Sequence, residues 1–139
     1  TDTKLRIVLK DFPILSEGSA SAARVALAAK VQLPVEKQFE FHSRLLELPG
    51  MIDGERALGV ASEMGLDIEK IKADIQSGVV NDSLEKNMKV AQALGLTGTP
   101  SFVIGKEVIQ GAVGVESLRA AIETSRRCRH RQKLLNIGF

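Results

Sequence analysis

The chain has 139 residues, enough for one hydrophobic core and too few for two ordinary domains. Hydrophobic residues make up 44% and charged residues 26%, which excludes a disordered chain, and no apolar run approaches the roughly 20 residues of a membrane span. The formal charge of +2 is uneven: 5 of the 19 basic residues (Arg126, Arg127, Arg129, Arg131 and Lys133) lie in the last fourteen positions, leaving 14 basic against 17 acidic elsewhere. One cysteine, Cys128, excludes an internal disulfide and a cysteine-rich zinc site. No leader peptide opens the chain, so it reads as mature, truncated or cytosolic.

Lys4 to Leu9 reads as a strand. Leu5 and Ile7 alternate with Lys4 and Arg6, and the run Ile7-Val8-Leu9 suggests burial on both faces at that end. Phe12-Pro13 ends it. Ser19 or Ser21 is positioned to cap an alanine-rich helix reaching about Val31, whose small side chains allow a neighbouring element to approach closely. From Val35 to Gly95 the pattern is helical. One helix runs from about Glu36 to Leu48 and stops at Pro49-Gly50. Asp53 caps a second that ends at Gly65, and Asp67 caps a short third with Ile68, Ile71 and Ile75 on one side. A fourth spans about Asn81 to Leu94, with Leu84, Met88, Ala91 and Leu94 on one face.

Next comes Leu94-Gly95-Leu96-Thr97-Gly98-Thr99-Pro100-Ser101-Phe102-Val103-Ile104-Gly105-Lys106. Gly95 stands where a left-handed helix cap is expected. Pro100 has no N–H to give a ladder, so it belongs at the entrance of a strand. Backbone statistics alone favour a trans bond there. Ser101–Ile104 and Glu107–Ile109 pair across a two-residue turn at Gly105-Lys106. Gly114 or Val115 opens the last helix, with Val115, Leu118, Ala121 and Ile122 inward, and polar residues take over from Thr124.

Gly98-Thr99-Pro100-Ser101-Phe102-Val103-Ile104-Gly105, followed by Ile109-Gln110-Gly111-Ala112, resembles the cis-proline segment of the DsbA-like branch of the thioredoxin superfamily. Leu5 to Leu15, followed by Ser21-Ala22-Ala23-Arg24-Val25-Ala26, resembles the strand and helix that come after the redox helix in the same family. Together they cover roughly residues 4–125 in the family's order. The resemblance implies an α/β thioredoxin-like domain over 1–139, with a helical insertion at about 35–95, a small sheet of about three strands and a basic tail at about 126–139. It implies a cis bond at Thr99–Pro100, with both residues contacting the backbone of a protein thiol or disulfide substrate. It implies a periplasmic location and no cofactor.

The family's chemistry needs a C-x-x-C pair at a helix N-terminus, where the helix dipole favours the thiolate. That pair belongs before the strand at Lys4–Leu9, and these 139 residues do not contain it. By this resemblance the chain is an N-terminally truncated form that keeps a substrate-binding wall without its nucleophile. Three readings follow: an oxidoreductase family member inactive by itself, a non-catalytic peptide-binding or interaction module that uses the cis-proline surface, or an inactive truncated product. Cys128 among arginines is a possible reactive thiol, although an exposed cysteine in a basic tail is the more ordinary reading. His42 has no second metal ligand among its helical neighbours, and His130 sits among arginines, so no metal site is expected. The basic run lacks an aromatic stacking residue, so nucleic acid is not an expected partner. A thioredoxin sheet without its middle strand leaves Lys4–Leu9 and Ser101–Ile104 unpaired. Either these close onto each other, or a second copy supplies a strand in a homodimer.

Overall fold

A computed structural model describes residues 2–135. Among them are six helices and one two-stranded sheet, in two compact units, Thr1–Val90 and Ala91–Phe139. The helices are α1 (Glu17–Gln32), α2 (Val35–Glu47), α3 (Gly54–Glu63), α4 (Ile68–Gln76), α5 (Val79–Ala93) and α6 (Val115–Leu135), and the strands are β1 (Ser101–Ile104) and β2 (Glu107–Gln110).

The first unit is built on α1, which packs against α2, α3 and α4. Ala28 and Ala29 of α1 and Ala57 and Ala61 of α3 are fully buried, so the two helices meet on small side chains. At their crossing the Gly54 N–H donates to Ser21 Oγ at 3.0 Å, and the Ser21 hydroxyl donates to the Gly18 carbonyl at 2.8 Å. A Cβ on Gly54 would lie 3.2 Å from Ser21, so the approach depends on the missing side chain. Phe41 of α2 and Ile71 of α4 are the largest fully buried side chains, and each contributes about 1.5–3 kcal/mol by burial.

Helix starts follow the caps. Asp53 accepts from the Arg56 N–H and Asp67 from the Lys70 N–H, both at 2.9 Å. Ser16, not Ser19 or Ser21, caps α1: its Oγ accepts from the Ser19 N–H at 3.1 Å, so the helix begins at Glu17. α2 and α5 likewise begin earlier than the pattern indicates, at Val35 and Val79. On α5 the inward face is Val80, Leu84, Asn87 and Ala91, while Met88 and Leu94 are exposed. The amide of Asn87 explains the rotation: it is buried because Nδ2 donates to the Asp11 carbonyl at 3.2 Å.

The sequence-predicted strand at Lys4–Leu9 does not form. The sheet has two strands, not about three. No backbone hydrogen bond joins Arg6 to Lys10 to another described residue, so the segment lacks the partner that makes an extended chain a strand, and Leu5, Ile7 and Val8 stay exposed. Its end is nevertheless tied down. Lys30 of α1 pairs with Asp11 at 2.7 Å, and both side chains are largely buried.

In the second unit β1 and β2 pair antiparallel with Ser101 opposite Gln110 and Ile104 opposite Glu107. Gly105 has φ +64 and Lys106 is not in the left-handed region, which is the II′ rather than the I′ pattern. α6 packs on β1 through a close approach of Ser125 to Gly105. Ala121 is buried on α6, whereas Val115, expected inward, is 63% exposed. The basic segment from Arg126 continues the helix to Leu135. Residues 136–139 of the expected tail, and the side chains of Arg129, His130, Arg131 and Lys133, lie outside the described residues.

Candidate functional site

The candidate site is the loop between α5 and β1. Its entry is a Schellman cap: Gly95, at φ +65, donates its N–H to the Gln92 carbonyl at 3.0 Å, and the Leu96 N–H donates to the Ala91 carbonyl at 2.9 Å. Only a residue free to adopt positive φ ends the helix this way without strain. The chain then crosses Thr97 and Gly98 to Thr99 and Pro100, whose peptide bond is cis. On the far side the Ser101 hydroxyl donates to the Gly98 carbonyl at 2.6 Å, and the Gly111 N–H donates to the Pro100 carbonyl at 2.8 Å.

The loop is also held from β2. Gln110 Oε1 accepts from the Thr97 N–H at 3.0 Å and from the Thr97 hydroxyl at 2.9 Å, while Nε2 donates to the Gly95 carbonyl at 3.3 Å. Thr97, Gly98 and Pro100 thus each have a protein partner. The backbone N–H and C=O of Thr99 have none among the described residues, and Thr99 and Pro100 are exposed.

Cys128 lies exposed on α6, and no hydrogen bond connects it with Thr99 or Pro100. Two of the four arginines expected around it lie outside the described side chains. Among the described residues no group of three or more His, Cys, Asp and Glu is placed to hold a metal ion.

A second polar constellation lies in the first unit, where sequence reasoning had only a lone histidine. Asp11, Lys30 and Asn87 join as described above, and His42 of α2 senses the same charges. Burial holds the imidazole below its usual pKa, the Asp11 carboxylate pulls it up, and the Lys30 ammonium pushes it down again. The pattern hid this cluster because its members are separated by up to 76 positions.

With the loop geometry defined, comparison with known proteins places the chain. A family model described as the DSBA-like thioredoxin domain matches residues 2–123. The chain belongs to the DSBA-like thioredoxin family. Among solved structures, this DSBA-like chain is similar to a thioredoxin-like oxidoreductase from Silicibacter pomeroyi, with 37% identity and TM-score 0.77 over 85% of this chain. It is also similar to the thiol-disulfide exchange protein alpha-DsbA2 from Wolbachia pipientis, with 29% identity and TM-score 0.71 over 83% of the chain. A periplasmic thioredoxin-like protein from Salmonella enterica serovar Typhimurium matches at 25% identity and TM-score 0.64 over 84%. The chain spans 66%, 62% and 63% of those three proteins.

A Na(+)/H(+) antiporter NhaA of Herminiimonas arsenicoxydans is 30% identical over 123 residues, 88% of this chain but 19% of that protein. Among the described residues no helix is long and apolar enough to cross a membrane. The fold is therefore thioredoxin-like and of the DsbA type, mostly helical with a small two-stranded sheet.

Proposed function

We propose that the Thr99–Pro100 loop of this DSBA-like chain is a wall that binds the extended backbone of protein thiol or disulfide substrates. The observation that carries this reading is the unpaired, exposed backbone of Thr99 between neighbours that are all tied down. A free N–H and C=O side by side on a fixed loop can each take one main-chain hydrogen bond from an extended peptide. The family supports the choice of partner, as does the thiol-disulfide exchange named for the Wolbachia relative.

Disulfide exchange proceeds by thiolate attack on a sulfur, with the other sulfur leaving as thiolate and a mixed disulfide forming. Release of the product needs a second thiol. These 139 residues hold one cysteine, so by themselves they bind and do not cycle. We treat Cys128 as a possible reactive thiol only, since it has no hydrogen bond to the loop. We regard residues 1–139 as one DsbA-like domain with its helical insertion at about 35–95, in a periplasmic setting like that of the Salmonella relative. We also propose self-association through the segment Lys4–Leu9, which from Arg6 onward has no backbone partner among the described residues.

The test uses the purified chain. Insulin reduction and oxidation of a reduced substrate are expected to stay at background. An extended peptide carrying a central S-methylated cysteine is expected to shift the Thr99 and Ser101 amide resonances. Turnover that disappears in Cys128→Ser would overturn the binding-only reading, and peptide-induced shifts confined to residues far from the loop would overturn the wall.

A further inference from the structure

We propose that Gln110, at the end of β2, is the positioning residue that holds the Thr99 backbone in its receptive arrangement. The inference rests on the peptide-binding reading of the loop and adds the residue that sets its shape. The Gln110 side chain hydrogen-bonds to neither Thr99 nor Pro100. It acts on the segment that leads into them.

The geometry is specific to a primary amide. Its oxygen takes both Thr97 donors, the N–H at 3.0 Å and the hydroxyl at 2.9 Å, and its nitrogen donates to the Gly95 carbonyl at 3.3 Å. The side chain thereby spans the loop from the helix cap to the residue two before Thr99. A carboxylate can replace the acceptor half but not the donor half. The backbone of the same stretch completes the frame, because Gln110 pairs with Ser101 across the sheet and the next N–H, from Gly111, takes the Pro100 carbonyl at 2.8 Å.

The loop is thus fastened on both sides of Thr99 from a single point on β2. The clasp has no packing duty to explain it, since Gln110 and Thr97 are both exposed and neither belongs to the core. An exposed side chain that satisfies three backbone and hydroxyl groups of one loop fixes that loop's conformation rather than filling space. Without it, the segment from Leu96 to Gly98 keeps only the Leu96–Ala91 cap bond and the Ser101–Gly98 bond, Thr97 loses both its partners, and a peptide then has to order the loop as it binds.

The test titrates the full chain with the S-methylated cysteine peptide, read on the Thr97, Thr99 and Ser101 amide resonances. Gln110→Met keeps length and loses all three hydrogen bonds; it is expected to weaken binding at least fivefold with little change in thermal midpoint. Gln110→Glu supplies the readout that a purely structural role would not move. Protonated, its carboxyl has both a donor and an acceptor and is expected to bind like the parent. Ionised, it faces the Gly95 carbonyl with no proton to give, so binding is expected to fall as pH rises through the carboxyl range near ~4.3.

Thr97→Val is expected to give a smaller loss than Gln110→Met, and Thr97→Ser to restore the parent affinity. Binding at the loop that is equal in the parent and both Gln110 variants overturns the role of Gln110 and leaves the peptide wall standing. So does a loss in Gln110→Glu that is the same at every pH. Absence of peptide-induced shifts at Thr99 in the parent chain overturns the wall itself, and the clasp with it.

Discussion

Gly105 shows how one missing side chain fixes a local structure. Its φ of +64 lies in the left-handed region, and a Cβ there would overlap the Ser125 hydroxyl where α6 crosses the turn. Gly105→Ala therefore meets two penalties, a backbone cost of about 1–2 kcal/mol and a steric one. The two are separable: adding Ser125→Gly relieves the overlap but leaves the backbone cost, so the double variant is expected to recover only part of the lost stability in urea. Full recovery would show that φ is not strained there. Gly59 is the contrast. It sits in α3 with open space around it, so Gly59→Ala is expected to stabilise by up to about 1 kcal/mol through helix propensity. A destabilised Gly59→Ala would mean that the site is covered.

At the scale of elements, local signals were legible and long-range polar ties were not. Asp53 and Asp67 announced their helices because a cap needs only the next three residues. The turn at Gly105-Lys106 and the Schellman end at Gly95 were legible for the same reason. The face of α5 was misread because an apolar pattern cannot anticipate a buried Asn87 whose acceptor is the distant Asp11 carbonyl. Thr99 and Pro100 were visible through family resemblance, whereas the Gln110 clasp was not, since its partners lie 13 and 15 positions earlier. Lys4–Leu9 had the composition of a strand, but strand formation is a property of pairs. The meeting of α2, α1 and the N-terminal segment has a consequence for stability. His42 is held below its ordinary value of about 6.5, mainly by burial and also by Lys30, against the opposing pull of Asp11. Between its folded pKa and that value the unfolded chain binds more protons than the folded one, so stability rises with pH. The contribution is complete above the unfolded pKa and is lost as pH falls through the folded one. Urea midpoints measured from about pH 7.5 downward are expected to decline across this window, and His42→Gln is expected to flatten that decline. An unchanged slope in His42→Gln would assign the effect to other groups.

At the scale of the whole molecule, the open question set by the chain is what covers Lys4–Leu9. Arg6 to Lys10 have no backbone partner among the described residues, and Ile7 is 68% exposed. Such a segment is a template for another strand. In an antiparallel pairing of two copies, the two-fold axis stands perpendicular to the sheet and must pass through a residue pair, because opposed side chains share a face. Centring on Ile7 sets Ile7 against Ile7 of the partner subunit and Leu5 against Leu9 of the partner subunit, which buries the apolar face. The same register sets Lys4 against Lys10 of the partner subunit at both ends. Moving the axis to Arg6 opposes two arginines, and moving it to Val8 opposes Arg6 and Lys10. Every register centred from Lys4 to Val8 therefore carries a like-charge pair, at a cost of roughly 0.2–1 kcal/mol each. Added salt weakens that repulsion, since the Debye length falls from about 8 Å at physiological ionic strength to about 3 Å at 1 M. The dimer is accordingly expected to tighten with salt, opposite to an assembly held by ion pairs. Sedimentation equilibrium under reducing conditions, which removes any Cys128 cross-link, is expected to give a mass rising from 15.0 kDa toward twice that as salt increases. Ile7→Lys is expected to hold the chain at the lower mass. A monomer at micromolar concentration under all salt conditions would rule out self-pairing of this segment.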